Sequence, residues 1–394
     1  MNSRKMRRRA ALVAAFIVYT ECLSFGWGIF DIPFPNTRSS AAVRGESAAD
    51  EFPFLPQLKG KPFFDAVNDM SICRDPEVQK FLYAYLSYGR RYTAASIQRS
   101  AIYRDIVDGV IAETPDIPKD IALLPLLESG YNPFAVSRSR AVGLWQFLGG
   151  TAKMLNMRMD GWQDQRRDIE MSTRAAMRHL RSLYGIFGSW ELTLAAYNGG
   201  AGYVKRAMIR TGKTTYSELR ECGVLRRETS EYVARYAALM VIYKNRELFG
   251  VNGECEAESL RDTEWFVLDR PVVVRHFAEI AGVPLETIRR LNPALSGAIT
   301  PPYEKNYRLR VPSAAMPALA AGKDVLYSMK FTSVKNHTVR RGESIVKIAR
   351  LYNTTPRMIL LVNDIPNPKR LRPGQKLYIP ICRTSVIPPR RAPT

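Results

Sequence analysis

Histidine and paired cysteine are what this sequence has least of. Its 394 residues include 3 histidines and 5 cysteines. The histidines (His179, His276, His337) are remote in sequence from the cysteines, and no two cysteines form a CxxC pair. No metal-ligand spacing is present, and neither a metal nor another cofactor is expected. Also missing is any apolar run of the roughly 20 residues that a membrane-spanning helix needs. Acidic residues are in deficit: 37 Asp and Glu against 58 Lys and Arg leave +21, an excess that points to an anionic contact such as nucleic acid, a membrane surface or an acidic polymer. The bulk composition, 46% apolar and 24% charged, is globular and excludes a wholly disordered chain, a coiled-coil rod and a collagen-like repeat. The length implies two or three folded units.

The charge is unevenly placed. Arg4, Lys5, Arg7, Arg8 and Arg9 precede an apolar run over 10–19, a basic segment and apolar stretch of the size of a secretory signal, so residues 1–28 are expected to be a signal peptide and the mature chain to be exported. The alternative is an N-terminal core helix. Cys22 follows Tyr19-Thr20-Glu21 rather than the small or apolar residues a lipidation site wants, which leaves membrane association open. Export permits disulfides; Cys222 and Cys255, which flank one helix, are the favoured pair, and free buried thiols are the alternative.

Residues 29–72, rich in Pro, Ser, Ala and Gly, read as a linker or pro-region. Over 73–250 helical spacing dominates: Phe81, Leu82, Tyr85, Leu86, Ile97, Ile102, Ile106 and Ile111 recur with helical period. Further helices are expected at 119–129, 151–157, 168–186, 190–198, 201–210 and 229–247. Two copies of a strand-helix-helix-strand order follow, at 260–315 and 335–382. Residues 383–394 form a basic, Pro-rich tail expected to be disordered.

The chemistry concentrates around Glu128. It ends an apolar run, 123–127, and Asn132-Pro133 is expected to stop the helix just beyond it. Apolar surroundings disfavour a carboxylate and raise its pKa, as a general acid near neutral pH requires; an exposed helix-end carboxylate is the competing reading. Trp145 with Gln146, and Tyr197 with Asn198 before a glycine-rich break, offer the aromatic faces and side-chain amides that suit a sugar ring. Each is also compatible with an ordinary core residue or helix stop.

In this order and spacing, Glu128-Ser129, Gly143-Leu144-Trp145-Gln146, Ala196-Tyr197-Asn198-Gly199 and Glu228-Thr229-Ser230-Glu231-Tyr232-Val233 closely resemble the lytic murein transglycosylases of the goose-type lysozyme superfamily, membrane-bound D type. The resemblance implies a mostly α lysozyme-like catalytic domain over 73–250. It implies Glu128 as catalytic acid and base, Ser137 and Tyr197 holding it or the substrate, and Gln146, Asn198 and Glu228 lining a glycan groove. Arg140 departs from the pattern, standing where the family usually has a small residue, often Gly; Gly149-Gly150 replace a more usual Pro-containing turn. The implied reaction cleaves the β-1,4 bond between N-acetylmuramic acid and N-acetylglucosamine with closure of a 1,6-anhydro ring. A second carboxylate near Glu128, from Asp160, Asp164, Asp168 or Glu228, would favour hydrolysis instead.

The segment from His337-Thr338-Val339 through Gly342-Glu343-Ser344-Ile345 to Tyr378-Ile379-Pro380 resembles a LysM module, so the fold after residue 260 is expected to be small α+β (βααβ) modules. By that resemblance Gly342, Glu343, Ser344, Ile345, Asn363 and Ile365 face N-acetylglucosamine-containing glycan, although Asn363 could equally cap a turn. The copy at 260–315 keeps Leu291-Asn292-Pro293 and Leu309-Arg310-Val311-Pro312 and reads as a degenerate LysM-like spacer. The expected partner is peptidoglycan, met in the periplasm by a monomer and without nucleic acid. A hydrolytic muramidase and a non-catalytic wall-binding protein remain as rivals. A nucleic-acid binder lacks a helix-turn-helix, zinc-finger or RNP-type signature. Much of the +21 sits at 1–20, with +5, and at 335–383, with +9; the wall is anionic too.

Overall fold

The structure, a computed structural model, describes residues 63–68, 71–251, 260–327, 331–363, 365, 367, 368 and 371–382. The signal-peptide reading of 1–28, most of the 29–72 linker, the 383–394 tail, Cys22 and Cys255 lie outside the described residues. The chain divides into two compact units, one of Met1–Met157 with Gln165–Glu258 and the other of Arg158–Asp164 with Ser259–Thr394.

The first unit is helical: α1 (Phe63–Asn68), α2 (Pro76–Leu86), α3 (Arg90–Ala112), α4 (Leu124–Ser129), α5 (Gly149–Met154), α6 (Ile169–Phe187), α7 (Trp190–Gly199), α8 (Ala201–Thr211), α9 (Tyr216–Glu221) and α10 (Arg227–Lys244). The starts are chemically marked. Asp75 accepts from Glu77 N before Pro76, and Asp168 accepts from Met171 N at the start of α6, each satisfying an amide that the first helical turn leaves unpaired. Helix α10 runs through the centre and packs against α2, α4 and α7. Its residues from Glu231 to Ile242 are all buried, as expected of a helix enclosed on every side. Each fully buried large apolar side chain there, such as Leu239 or Ile242, contributes about 1.5–3 kcal/mol.

Two features differ from expectation. The stretch 119–129 is not one helix: Lys119–Leu123 is a 3-10 turn that hands over to α4. The stop after Glu128 also comes earlier than Asn132-Pro133. Gly130 adopts φ +57° and caps α4, with Gly130 N donating to Leu126 O at 3.2 Å and Tyr131 N to Pro125 O at 3.0 Å. This paired closure favours glycine because the left-handed backbone carries no side-chain penalty there.

The second unit holds two βααβ modules. In the first, β1 (Thr263–Leu268) and β2 (Tyr307–Pro312) pair antiparallel around α11 (Val274–Ala281) and α12 (Leu285–Leu291). Its core continues past residue 315 through α13 (Met316–Ala321) and α14 (Lys323–Leu326), which bury Leu319 and Leu326. In the second, β3 (Phe331–Thr338) and β4 (Lys376–Cys382) enclose α15 (Ile345–Leu351) and α16 (Pro356–Val362). One device proves the repeat. Asn292 Nδ2 donates to Ile288 O and Arg310 O while its Oδ1 accepts from Arg310 N. Asn363 does the same with Ile359 O, Tyr378 O and Tyr378 N, each at 2.7 Å. Each asparagine thus ties its second helix to its closing strand.

Residues 158–164 belong to this unit. Asp160 accepts from Trp162 N and Gln163 N, the Tyr303 hydroxyl donates to Asp160 Oδ2, and Trp162 O accepts from Ser296 N at 2.9 Å. The Trp162 ring lies 4.4 Å from that of Tyr378, in a cluster with Val273, Ile299 and Val362.

Candidate active site

Glu128 sits in the last turn of α4 with only 8% of its surface exposed. Burial pushes its carboxyl up from the ordinary 4.5 to about 8; a hydrogen bond from Tyr232 opposes that rise and the charge of Glu228 adds to it. The Tyr232 hydroxyl donates directly to Glu128 Oε1. At neutral pH the carboxyl is therefore mostly protonated, poised to donate.

A second buried glutamate on the same helix as Tyr232 behaves oppositely. Burial pushes Glu231 up too, but bonds from Arg235 and Arg227, with Lys80 nearby, overcome it and hold the carboxyl below its usual range. Glu231 is an ionised strut at neutral pH; Glu128, with a phenol as its partner and no cation beside it among the described residues, is the one able to exchange a proton.

The four motifs are joined in a ring by hydrogen bonds. Residues 143–146 form a hairpin loop closed by reciprocal bonds between Val142 and Phe147, both 3.2 Å. Gly143 takes φ +86°, and a Cβ there would stand 1.9 Å from Arg166 O, so no larger residue fits. Leu144 and Trp145 are wholly buried, and Trp145 Nε1 donates to Thr173 Oγ1 at 2.9 Å. The Ser129 hydroxyl donates to Leu144 O at 2.9 Å, tying α4 to the loop, and the Tyr197 hydroxyl donates to Trp145 O at 2.7 Å, tying it to α7. Asn198 then connects α7 to α10, donating to Glu228 Oε1 at 3.1 Å and accepting from Thr229 Oγ1 at 2.8 Å. Tyr232, one turn beyond Glu228, closes the ring on Glu128.

The contacts of the individual side chains follow from this geometry. Trp145 is core and offers no face to a sugar. Tyr197 holds the loop rather than Glu128; Tyr232, which lay in a recognised motif without a role, does the holding. Its i+4 spacing from Glu228 was the available signal, since such residues share a helix face. Ser137 turns the chain, accepting from Ala141 N at 3.0 Å and lying 3.0 Å from the Ser139 hydroxyl. Gln146, at φ +49°, spends its amide on Gly143 O at 2.8 Å, so it shapes the loop wall. Glu228 is exposed and is the carboxylate whose charge reaches Glu128. Asp168 is committed to capping α6, and Asp160 and Asp164 belong to the other unit.

The LysM candidates are committed to the module itself. His337 Nε2 and Arg340 N both meet Glu343 Oε2, at 2.8 and 2.7 Å. Ser344 caps α15, Ile345 is core, Ile365 packs against the core, and Asn363 clamps β4. Gly342 turns the loop at φ +83°. The Asn363 side chain is thus the turn-holding alternative. What the 342–345 loop has left to offer a ligand is chiefly backbone. Of the expected disulfide, Cys222 is exposed and free, and Cys255 lies outside the described residues. Among the described residues no group of His, Cys, Asp and Glu could hold a metal, and no helix is long and apolar enough to cross a membrane.

Comparison with known proteins gives three family matches: Transglycosylase SLT domain over residues 112–219, Lytic transglycosylase MltD LysM-like domain over 263–328, and LysM domain over 337–380. The membrane-bound lytic murein transglycosylase D of Escherichia coli K12 is 30% identical over 275 residues, 67% of this chain. The chain spans 60% of that relative's own length. The peptidoglycan transglycosylase gp16 of Escherichia phage T7 is 42% identical over 99 residues, 24% of this chain and 8% of its own. Among solved structures, the 70 kDa soluble lytic transglycosylase of Escherichia coli matches at 21% identity and TM-score 0.31, over 51% of this chain and 34% of its own.

Proposed function

The chain carries a transglycosylase SLT domain followed by an MltD-type LysM-like domain and a LysM domain and is homologous to the lytic murein transglycosylases, and from that premise we propose that it is itself a lytic transglycosylase of peptidoglycan. The observation that carries the proposal is the closed ring of hydrogen bonds that brings all four motifs to one buried, protonated glutamate.

Glu128 protonates the leaving oxygen of the β-1,4 bond between N-acetylmuramic acid and N-acetylglucosamine. The carboxylate so formed takes the proton of the muramyl C6 hydroxyl as that oxygen closes the 1,6-anhydro ring. No water is consumed, and the glutamate ends as it began. Tyr232 serves the middle of this cycle, because its hydroxyl stabilises the carboxylate that exists between the two transfers. Asn198 and Glu228 line the glycan side, and the backbone of 342–345 meets acetamido groups in the LysM module. Membrane association, as in the E. coli relative's name, belongs to the same reading, as do export to the periplasm and a monomeric state.

Glu228 favours a second reading. Its charge reaches Glu128, and two carboxylates acting together would make a hydrolytic muramidase. Digestion of purified sacculi separates the cases. Anhydro-ended muropeptides that disappear with Glu128→Gln support the proposal; products one water heavier support hydrolysis; unchanged release by Glu128→Gln means a binding protein and a contaminating activity.

A further inference from the structure

We infer that the first βααβ module is a peptide clamp: the loops that its sister module is expected to turn toward glycan here grip residues 160–164 of the same chain. From the first strand to the clamping asparagine the two modules align without a gap. Trp265 pairs with Arg310 and Asn336 with Tyr378, and Asn292 and Asn363 bond to those same closing-strand residues. An equal count then leads from Trp265 and Asn336 to the first helical residues, Val274 and Ile345. Val272 and Val273 therefore stand where the second module has Glu343 and Ser344, and Ala294 stands where it has Ile365. The exposure differs. Val273 is 2% exposed, whereas Ser344 lies open.

In the first module the loop backbone is spent on polypeptide. Val272 N donates to Thr300 Oγ1 at 3.0 Å and Val274 N to Ala298 O at 2.9 Å. Ala294 O accepts from Asp164 N at 2.8 Å, and Trp162 O accepts from both Ser296 N at 2.9 Å and Gly297 N at 3.2 Å. Main-chain bonds of this kind hold an added peptide, and side-chain contacts make the hold specific. Gln163 is only 3% exposed, and its amide donates to Glu304 and to the Tyr303 hydroxyl, which itself donates to Asp160. Gly297 lies so close that a Cβ there would stand 3.1 Å from both Gly161 O and Trp162 Cε3. The Trp162 ring packs with Val273 and Ile299 of this module and with Tyr378 of the next. The gripped segment lies between α5 and α6, inside the stretch that matches the SLT domain. The module is then tied to the catalytic half twice, by the covalent chain and by the clamp, and is no mere spacer. This role is independent of the cleavage chemistry.

A protease site placed within 252–259 of the full chain separates the covalent tie from the clamp. After cleavage the two pieces of the parent chain are expected to co-elute in size-exclusion chromatography, and those carrying Trp162→Ala with Gln163→Ala to separate. Hydrogen exchange of the uncut chain gives a second measure. The Ser296 and Gly297 amides should exchange roughly tenfold faster in the double variant, the worth of about one hydrogen bond, while the β2 amides stay protected, which controls for folding. Gly297→Val, which alters only the module side, should act likewise, and Trp162→Phe should keep the clamp closed. Parent pieces that part on cleavage overturn the inference, as do double-variant pieces that stay together. Exchange of pieces between differently tagged copies, eluting as a dimer, overturns it in favour of a clamp on a second copy. An oligomer of N-acetylglucosamine should leave exchange over 294–297 as it was; a change there would make the loop a glycan site and overturn the inference as well.

Discussion

Glu128→Gln should make the protein more stable, and by an amount that grows with pH. In the folded chain Glu128 holds its proton up to about 8, against an ordinary 4.5. Between those values the folded state binds a proton that the unfolded state has released, so stability falls as pH rises across that window. The penalty is absent below about pH 4.5 and complete above about pH 8. At about 1.4 kcal/mol per pH unit it approaches about 5 kcal/mol at full development. Glutamine has nearly the same shape and can accept the Tyr232 hydrogen bond, but it does not titrate. The difference between variant and parent should therefore be near zero at pH 4 and rise steadily to its plateau near pH 9. Hydrogen–deuterium exchange of α10 peptides, read as opening free energies across this range, isolates the helical unit from the second one. A difference that does not change with pH, or a variant less stable than the parent at pH 9, would refute the reasoning that burial without a cation sets the state of Glu128.

Two further outcomes follow from the hydrogen bonds. Tyr232→Phe removes the bond that opposes the rise in the Glu128 pKa, so the alkaline limb of the kcat/KM profile on soluble glycan should move up by about one unit, the worth of a hydrogen bond to a charged group, with kcat falling because the carboxylate intermediate loses its donor; an unmoved limb counts against the contact. Asn292→Ala and Asn363→Ala each remove three hydrogen bonds and leave strand amides and carbonyls unpaired, so each should cost about 2–4 kcal/mol in its own module. Exchange of the β2 or β4 amides would show it, and a cost under about 0.5 kcal/mol would mean the clamp is dispensable.

The periodic helices and both βααβ orders were legible because local apolar spacing encodes them. The short α9 was not read, although Thr215 and Glu218 form a capping box, whose T-x-x-E spacing is a sequence signature. Helices α13 and α14 hide in an alanine-rich stretch with little periodicity. The four motifs announced where the chemistry lies, but not which side chain does what. Trp145 and Tyr197 look like sugar ligands in sequence because aromatic residues serve cores and carbohydrate sites alike. Only the partners, Thr173 and the Trp145 carbonyl, separate the two uses. The placement of 158–164 in the second unit depends on long-range contacts with Ser296, Tyr303 and Tyr378, which no local pattern carries. Arg140 shows the reverse case: the family's small residue is explained by φ +64° at this position, a left-handed backbone that costs a side-chain-bearing residue about 1–2 kcal/mol.

The contrast between Glu128 and Glu231 explains why burial alone does not make a catalytic acid. Both are enclosed by the same central helix, and burial raises both. Two arginines make Glu231 unable to take up a proton at neutral pH, so it can only hold helices together. With no partner at all, Glu128 would hold its proton too tightly to become the carboxylate that the second half of the reaction requires. Tyr232 supplies the intermediate case. A phenol donates a hydrogen bond to the carboxylate without placing a full positive charge beside it, which lowers the pKa enough for the proton to leave and return. One glutamate can then serve as acid and base in turn, provided its surroundings favour neither state by much. The fold accepts the resulting stability penalty because α10 buries so much apolar surface beside it.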